Sequence, residues 1–261
     1  MHRNFIPGFR GQAIEIIDKV CTRTIIELPR SDNPEQPPRK RRLIITIDGP
    51  AGAGKSTVAR LLASSLGYLY LDTGALYRAV AWKIQASGVD PADENAIAAT
   101  LRSTDVRTEQ RADRMYVYVD TQDLTDEIRR PEISKIASMV SALPSVRDWL
   151  LPVQRQAGSG GGVVAEGRDV GTRVFPSADA KFFLEADMDV RAARRHRELT
   201  AAGYAVPVDQ TLQDLRARDT QDRTREVAPL LPAPDAERID TSALTVAQVI
   251  DRMMAVISSR L

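Results

Sequence analysis

The segment Gly49-Pro50-Ala51-Gly52-Ala53-Gly54-Lys55-Ser56 constrains the chain more than any other, because it matches G-x-x-x-x-G-K-[ST] in full. Such a loop functions in one setting. A buried strand must enter it and a helix must leave it, so that backbone N–H groups and the helix N-terminus face an anion. The flanks supply both. Leu43–Ile47 is a short, mostly apolar, β-branched run with little alternation, as in a strand buried on both faces. Thr57–Leu66 places Val58, Leu61, Leu62 and Leu66 at helical spacing. In this setting Gly49–Ser56, with Thr57 beside it, is expected to cradle the phosphates of a nucleoside triphosphate, Lys55 to bridge the β- and γ-phosphates, and Ser56 Oγ to ligate Mg²⁺.

The rhythm of the rest predicts the architecture. Strands are expected at Tyr68–Leu71, Val163–Ala165, Lys181–Leu184 and Arg238–Asp240, with helices at Thr73–Ala86 and from about Thr245. Strands alternating with helices predict an α/β fold with a parallel sheet. One region breaks the pattern. Met115–Val119 is β-prone and Asp105–Thr108 is a candidate partner, so Thr104–Arg130 reads as a small antiparallel insertion between helices at Ala92–Leu101 and Pro131–Leu143.

Ahead of this body, Ala13, Ile14, Ile16, Ile17 and Val20 have rough helical spacing and predict a short amphipathic helix. Ser31–Arg42, with three prolines and a terminal basic cluster, reads as a solvated linker. Residues 1–42 hold nine Lys/Arg against five Asp/Glu, while the whole chain nets only +1, so bulk charge gives no support to nucleic-acid binding. No apolar run approaches the roughly 20 residues that cross a bilayer, and no signal peptide is readable. A single cysteine, Cys21, excludes an intrachain disulfide framework and points to a reducing, cytoplasmic setting. With only His2 and His196 besides, thiol catalysis and a zinc site are both unexpected.

A phosphate loop alone leaves many functions open. A GTPase needs an N-K-x-D base reader and a D-x-x-G switch, and no convincing pair is present. Large motor ATPases need more chain than Leu43–Leu261 provides. A small arginine-rich domain fits a kinase for a small phosphorylated acceptor, where arginines neutralise both phosphates. Three clusters point that way: Leu71-Asp72-Thr73-Gly74-Ala75-Leu76-Tyr77-Arg78, Ala165-Glu166-Gly167-Arg168-Asp169-Val170-Gly171-Thr172, and the ten residues from Arg216 to Arg225. Each alone could be a solvated charged face; together on one scaffold they argue for a site.

From Leu43 to its end the chain closely resembles the bacterial-type cytidylate kinases, through IDGPAGAGKST, LDTGALYR, EGRDVGT and RDTQDRTREVAPL. The resemblance implies a P-loop NTPase-type sheet flanked by helices, an enlarged nucleotide-monophosphate-binding insertion over about 83–150, and a short lid over about 188–206. It implies transfer of the ATP γ-phosphoryl group to CMP or dCMP in pyrimidine metabolism, with Mg²⁺, by a monomer. Residues 1–42 have no counterpart in the family and are expected to be a flexible, dispensable tail or a start placed too far upstream.

Carried over by position, Arg78, Arg168 and Arg225 hold the acceptor phosphate. Thr73, Ser138, Arg147 and Asp169, beside Tyr77, line the cytosine, and Arg218 and Asp222 meet the pentose. Thr73 stands where some members have serine and keeps the hydroxyl. Glu166 stands where some have aspartate and is expected to reach Mg²⁺ through water. The chemistry of the base agrees. Asp169 can accept from the exocyclic amine of cytosine, whereas uracil presents a carbonyl there. Arg191, Arg194, Arg195 and Arg197 lie on an expected lid helix, and Arg191 and Arg195, one turn apart, are the candidates to reach the transferring phosphate. Two rival readings remain at this point: a kinase for UMP, AMP or a non-nucleotide acid, and a non-catalytic ATP-binding regulator.

Overall fold

The structure, a computed structural model, describes residues 42–111 and 114–261, together with the backbone of 11–17 and 23–29. The chain divides into two compact units, 1–40 and 41–261. In the first, β1 (Gly11–Ile17) pairs antiparallel with β2 (Arg23–Pro29), placing Ile14 opposite Ile26. The helix expected over Ala13–Val20 is therefore replaced by a strand. Ile14, Ile16, Ile17, Thr24, Ile25 and Ile26 are β-branched; they lose χ1 freedom in a helix and pack well on a pleated surface. The expected linker, apart from Arg42, and Val20, Cys21 and His2 lie outside the described residues.

The second unit runs β3 (Ile44–Asp48), α1 (Lys55–Leu66), β4 (Leu69–Asp72), α2 (Thr73–Ala86), α3 (Glu94–Leu101), β5 (Val106–Arg111), β6 (Arg114–Val119), β7 (Gln122–Asp123), α4 (Pro131–Val140), α5 (Pro144–Ala157), β8 (Val163–Gly167), β9 (Ala180–Glu185), α6 (Met188–Ala201), α7 (Val208–Thr224), β10 (Glu237–Asp240) and α8 (Val246–Ser258). Five strands form one parallel sheet in the order β10-β9-β3-β8-β4. β3 sits at its centre with Ile45 and Ile47 fully buried, as its unalternating sequence requires. β5, β6 and β7 form a separate antiparallel sheet that fills the expected insertion.

Two helices stand where the sequence carries no clear helical signal. α5 starts with Pro144 at its first turn and carries Pro152 inside. Val146, Leu150 and Gln154 recur every four residues and are buried, so packing outweighs the proline penalty. α7 buries Thr211, Leu215, Asp219 and Asp222. Its inner face is mostly polar because it meets arginines rather than the core, so no apolar period announces it.

Candidate active site

The phosphate loop leaves the C-terminal edge of β3 and wraps the start of α1. Gly54 caps the helix at φ +88°, a left-handed conformation that glycine adopts freely. Gly49 is fixed by proximity instead. A Cβ there would lie 2.1 Å from the Leu184 carbonyl oxygen of β9. Lys55 is buried and its Nζ donates to the Pro50 carbonyl at 2.7 Å, folding the ammonium into its own loop. Burial, then the neighbouring Arg168 and Arg218, pulls Lys55 down to about 7. Ser56 and Thr57 at the helix start are exposed.

Two carboxylates stand beneath the loop. Asp48 accepts from the amides of Val170 at 2.8 Å and Gly171 at 2.7 Å, which ties β3 to the turn after β8. Burial pushes it up to about 6 despite those bonds. Glu166 is 3% exposed; it accepts from Tyr70 Oη at 2.5 Å, and the Ser56 side chain of the phosphate loop acts on its carboxylate. Burial, then Asp72, raises its carboxyl above the usual range, with Lys55 and Ser56 opposing.

Only two residues beyond Glu166 the chemistry changes. Arg168 Nε donates to Asp222 Oδ2 on α7 at 2.8 Å. Asp169 pairs with Arg147 of α5, and Arg225 stands 3.7 Å from its other oxygen. Arg147 is 2% exposed; it also donates to the Ser141 carbonyl at 2.8 Å and lies over the Tyr77 ring at 5.3 Å. At the end of β4, Asp72 caps α2: it accepts from the Ala75 amide and from Arg78 at 2.6 Å. Burial raises Asp72, but Arg78 and Arg129 outweigh it and hold the carboxyl below its usual value. Thr73 Oγ1 donates to the Glu166 carbonyl at 2.7 Å, locking α2 onto β8. Arg218 faces the same cluster, and burial, then Arg168, lowers it to about 10.

Thus Arg78, Arg147, Arg168, Asp169, Arg218, Asp222 and Arg225, remote in sequence, converge, with Thr73 and Tyr77 at their edge. Arg78 Nε, Arg147 Nε, Arg218 Nε and one terminal nitrogen of Arg225 are buried and lack a hydrogen-bond partner. Buried donors of this kind await an acceptor. Ser138 joins the cluster through Gln221 of α7, to whose Oε1 it donates at 2.8 Å.

The expected lid arginines are divided in their engagement. Arg191 is buried and saturated: it donates to the Ala186 carbonyl at 2.9 Å and the Ala51 carbonyl at 3.2 Å, and pairs with Asp219 at 2.7 Å. Arg194 grips Thr241 Oγ1 and its carbonyl. Arg195 is half-buried, paired with Glu198 at 3.0 Å, and close enough to Arg218 to depress it. A cavity of about 400 Å³ opens beside the phosphate loop, between Gly52–Gly54, Arg194, Thr241 and Val246. Sequence reasoning missed Thr241, whose hydroxyl donates to the Ala53 carbonyl at 3.1 Å, because a lone threonine after β10 carries no signal. It also missed Asp48 and Tyr70; the position of Asp48 at the exit of a buried strand could have marked it.

A family model described as Cytidylate kinase matches residues 45–259. The cytidylate kinase of Pelotomaculum thermopropionicum is 49% identical over 217 residues, covering 82% of this chain and 96% of that one. That of Syntrophotalea carbinolica is 46% identical over 220 residues, covering 84% and 94%. That of Geobacillus kaustophilus is 44% identical over 222 residues, covering 85% and 99%. No helix among the described residues is long and apolar enough to cross a membrane.

Proposed function

The chain belongs to the cytidylate kinase family, and on that premise we propose that it transfers the γ-phosphoryl group of ATP to CMP or dCMP, giving ADP and CDP or dCDP. The observation that carries this reading is the run Glu166–Asp169. Its first residue touches the phosphate loop through Ser56, and its last two join the arginine cluster, so four consecutive residues span donor and acceptor sides.

Charge supports the acceptor assignment. Five guanidinium groups (Arg78, Arg147, Arg168, Arg218, Arg225) face three carboxylates (Asp72, Asp169, Asp222). The surplus of about two positive charges suits a phosphate monoester, which carries nearly two negative charges at neutral pH. Arg78, Arg168 and Arg225 take the acceptor phosphate by exchanging carboxylate partners for phosphate oxygens. Asp169 and Arg147 read the cytosine edge with Ser138, Thr73 and Tyr77 around it, while Arg218 and Asp222 meet the pentose. An oxygen of the acceptor phosphate then attacks the γ-phosphorus in line, and the bond to the β–γ bridging oxygen breaks to release ADP. No side chain needs to remove a proton, because the nucleophile is already anionic.

On the donor side, the loop amides and Lys55 hold the triphosphate, the Lys55 ammonium leaving the Pro50 carbonyl for phosphate oxygens. The cavity beside Thr241 and Arg194 receives the nucleoside part of ATP. Magnesium fits this donor set: Ser56 and Glu166 offer hard oxygens, and no group of three or more His, Cys, Asp or Glu among the described residues forms a dedicated cage. That is the arrangement for an ion that arrives with phosphates and waters. Ser56 would bind it directly and Glu166 through water; it would neutralise charge on the β- and γ-phosphates. Arg195 leaves Glu198 to meet the transferring group, whereas Arg191, tied to Ala51 and Asp219, positions the loop. The extension 1–42 is dispensable for this chemistry.

A coupled assay of ADP release across CMP, dCMP, UMP and AMP tests the reading. CMP and dCMP should give the highest kcat/KM. Preference for UMP or AMP, or ATP binding without acceptor-dependent ADP release, would overturn it.

A further inference from the structure

Ser138 of α4 and Gln221 of α7 are joined twice. Ser138 Oγ donates to Gln221 Oε1 at 2.8 Å, and Gln221 Nε2 donates to the Ser138 carbonyl at 2.7 Å. The second bond fixes the chemistry of the first. A main-chain carbonyl only accepts, so the amide must turn its NH₂ group toward it and its oxygen toward the hydroxyl. An amide oxygen cannot donate. The single proton of Ser138 Oγ is therefore committed to Gln221, and any other group that meets this hydroxyl meets lone pairs.

The joint sits at the edge of the arginine cluster. Gln221 immediately precedes Asp222, the partner of Arg168 and Arg225. The Ser138 carbonyl also accepts from Ser141 Oγ at 2.9 Å, and the Ser141 carbonyl accepts from Arg147, which pairs with Asp169. A continuous hydrogen-bonded path thus runs from Gln221 to the two residues proposed to read the base.

We propose that Gln221 is a positioning residue for base specificity: by holding the Ser138 proton it makes that hydroxyl an obligate acceptor. An obligate acceptor receives the exocyclic amine of cytosine and opposes the carbonyl that uracil carries at the same position. The proposal rests on the reading that Ser138 lines the acceptor base. Without Gln221 the hydroxyl rotates freely and can donate to the uracil carbonyl. UMP use then rises relative to CMP, while Asp169 keeps part of the discrimination.

The test compares kcat/KM for CMP and UMP in wild type, Gln221→Met, Gln221→Glu, Ser138→Ala and the Ser138→Ala/Gln221→Met double variant. Methionine keeps the length and volume of glutamine and removes both bonds. The CMP-to-UMP ratio should fall roughly tenfold in Gln221→Met, with KM for ATP unchanged. Glutamate keeps an oxygen for the Ser138 proton and loses only the bond to the carbonyl, so Gln221→Glu should retain the wild-type ratio even where Tm drops. In the double variant Gln221→Met should add nothing to Ser138→Ala, since no hydroxyl remains to orient. An unchanged ratio in Gln221→Met overturns the proposal. So do equal losses for CMP and UMP, a ratio lost as fully in Gln221→Glu, or an additive double variant. A wild-type enzyme without preference for CMP over UMP overturns the functional reading instead, before any variant is compared.

Discussion

The two phosphate-binding regions are made of different material. The donor cradle is one contiguous segment, Gly49–Ser56, shaped by backbone: glycines at positive φ, a helix start, and one cation bonded to a neutral carbonyl. The acceptor side draws side chains from α2, α5, α7 and the turn after β8, and holds its arginines in ion pairs with Asp72, Asp169 and Asp222. The first needs only to release one hydrogen bond to bind. The second must exchange buried partners, and removing one member of such a pair costs about 3–5 kcal/mol. Donor residues should therefore be separable from stability, and acceptor residues should not.

The largest expected effect tests the donor half of that contrast. Lys55→Ala removes a side chain whose hydrogen bond is to Pro50 of its own loop. Steady-state turnover should fall by at least about 10³-fold, since the ammonium is the chief side-chain charge on the transferring phosphate. Tm should not fall, because burial of the ammonium costs stability that its removal relieves. Turnover within a few-fold of wild type would remove the phosphate-site assignment, and collapse of the fold would show that the cradle is not built from backbone alone.

Next in size, Asp169→Ala tests the acceptor half. It strips the carboxylate from Arg147, whose side chain is 1% exposed, and from Arg225 nearby. Stability should fall by about 3–5 kcal/mol, because the buried Arg147 guanidinium loses its counter-charge and Arg225 keeps only Asp222. KM for CMP should rise by about 10²-fold while KM for ATP holds. A variant as stable as wild type would mean that the acceptor arginines do not depend on these pairs, and the contrast would dissolve.

The same contrast explains what the sequence could reveal. The donor cradle is local, so G-x-x-x-x-G-K-[ST] after a β-branched run carries its geometry complete, and β3 and α1 lie within two residues of expectation. The acceptor residues were reached through motif resemblance, because nothing in the spacing of Arg78, Arg147 and Arg225 states that they meet. α7 hid for the same reason: its buried residues include Asp219 and Asp222, whose partners are Arg191 and Arg168. Arg191 shows the limit of helical reasoning. Helical spacing sets it on one face of α6 with Arg195, but only the tertiary contacts to Ala51 and Asp219 reveal that it is anchored.

The smallest effect is a proton count, and it separates the two regions without a mutation. Lys55 stands at about 7 in the free enzyme, so at pH 8 about nine-tenths of the molecules carry a neutral amine there. Triphosphate oxygens favour the ammonium, so ATP binding at pH 8 should take up close to one proton. Affinity for ATP should weaken up to about tenfold per pH unit above 7. Arg218, lowered only to about 10, stays charged at pH 8, so CMP binding should take up none. Calorimetry in buffers of different ionisation enthalpy reads both counts, and Lys55→Met should abolish the first. Stability carries the same signature with a definite sign. Between about 7 and 10.5 the unfolded chain binds a proton at Lys55 that the folded chain does not, so Lys55 makes stability rise with pH across that window, and Lys55→Met should remove this rise. Proton uptake on CMP rather than ATP would place the perturbed amine on the wrong side of the site.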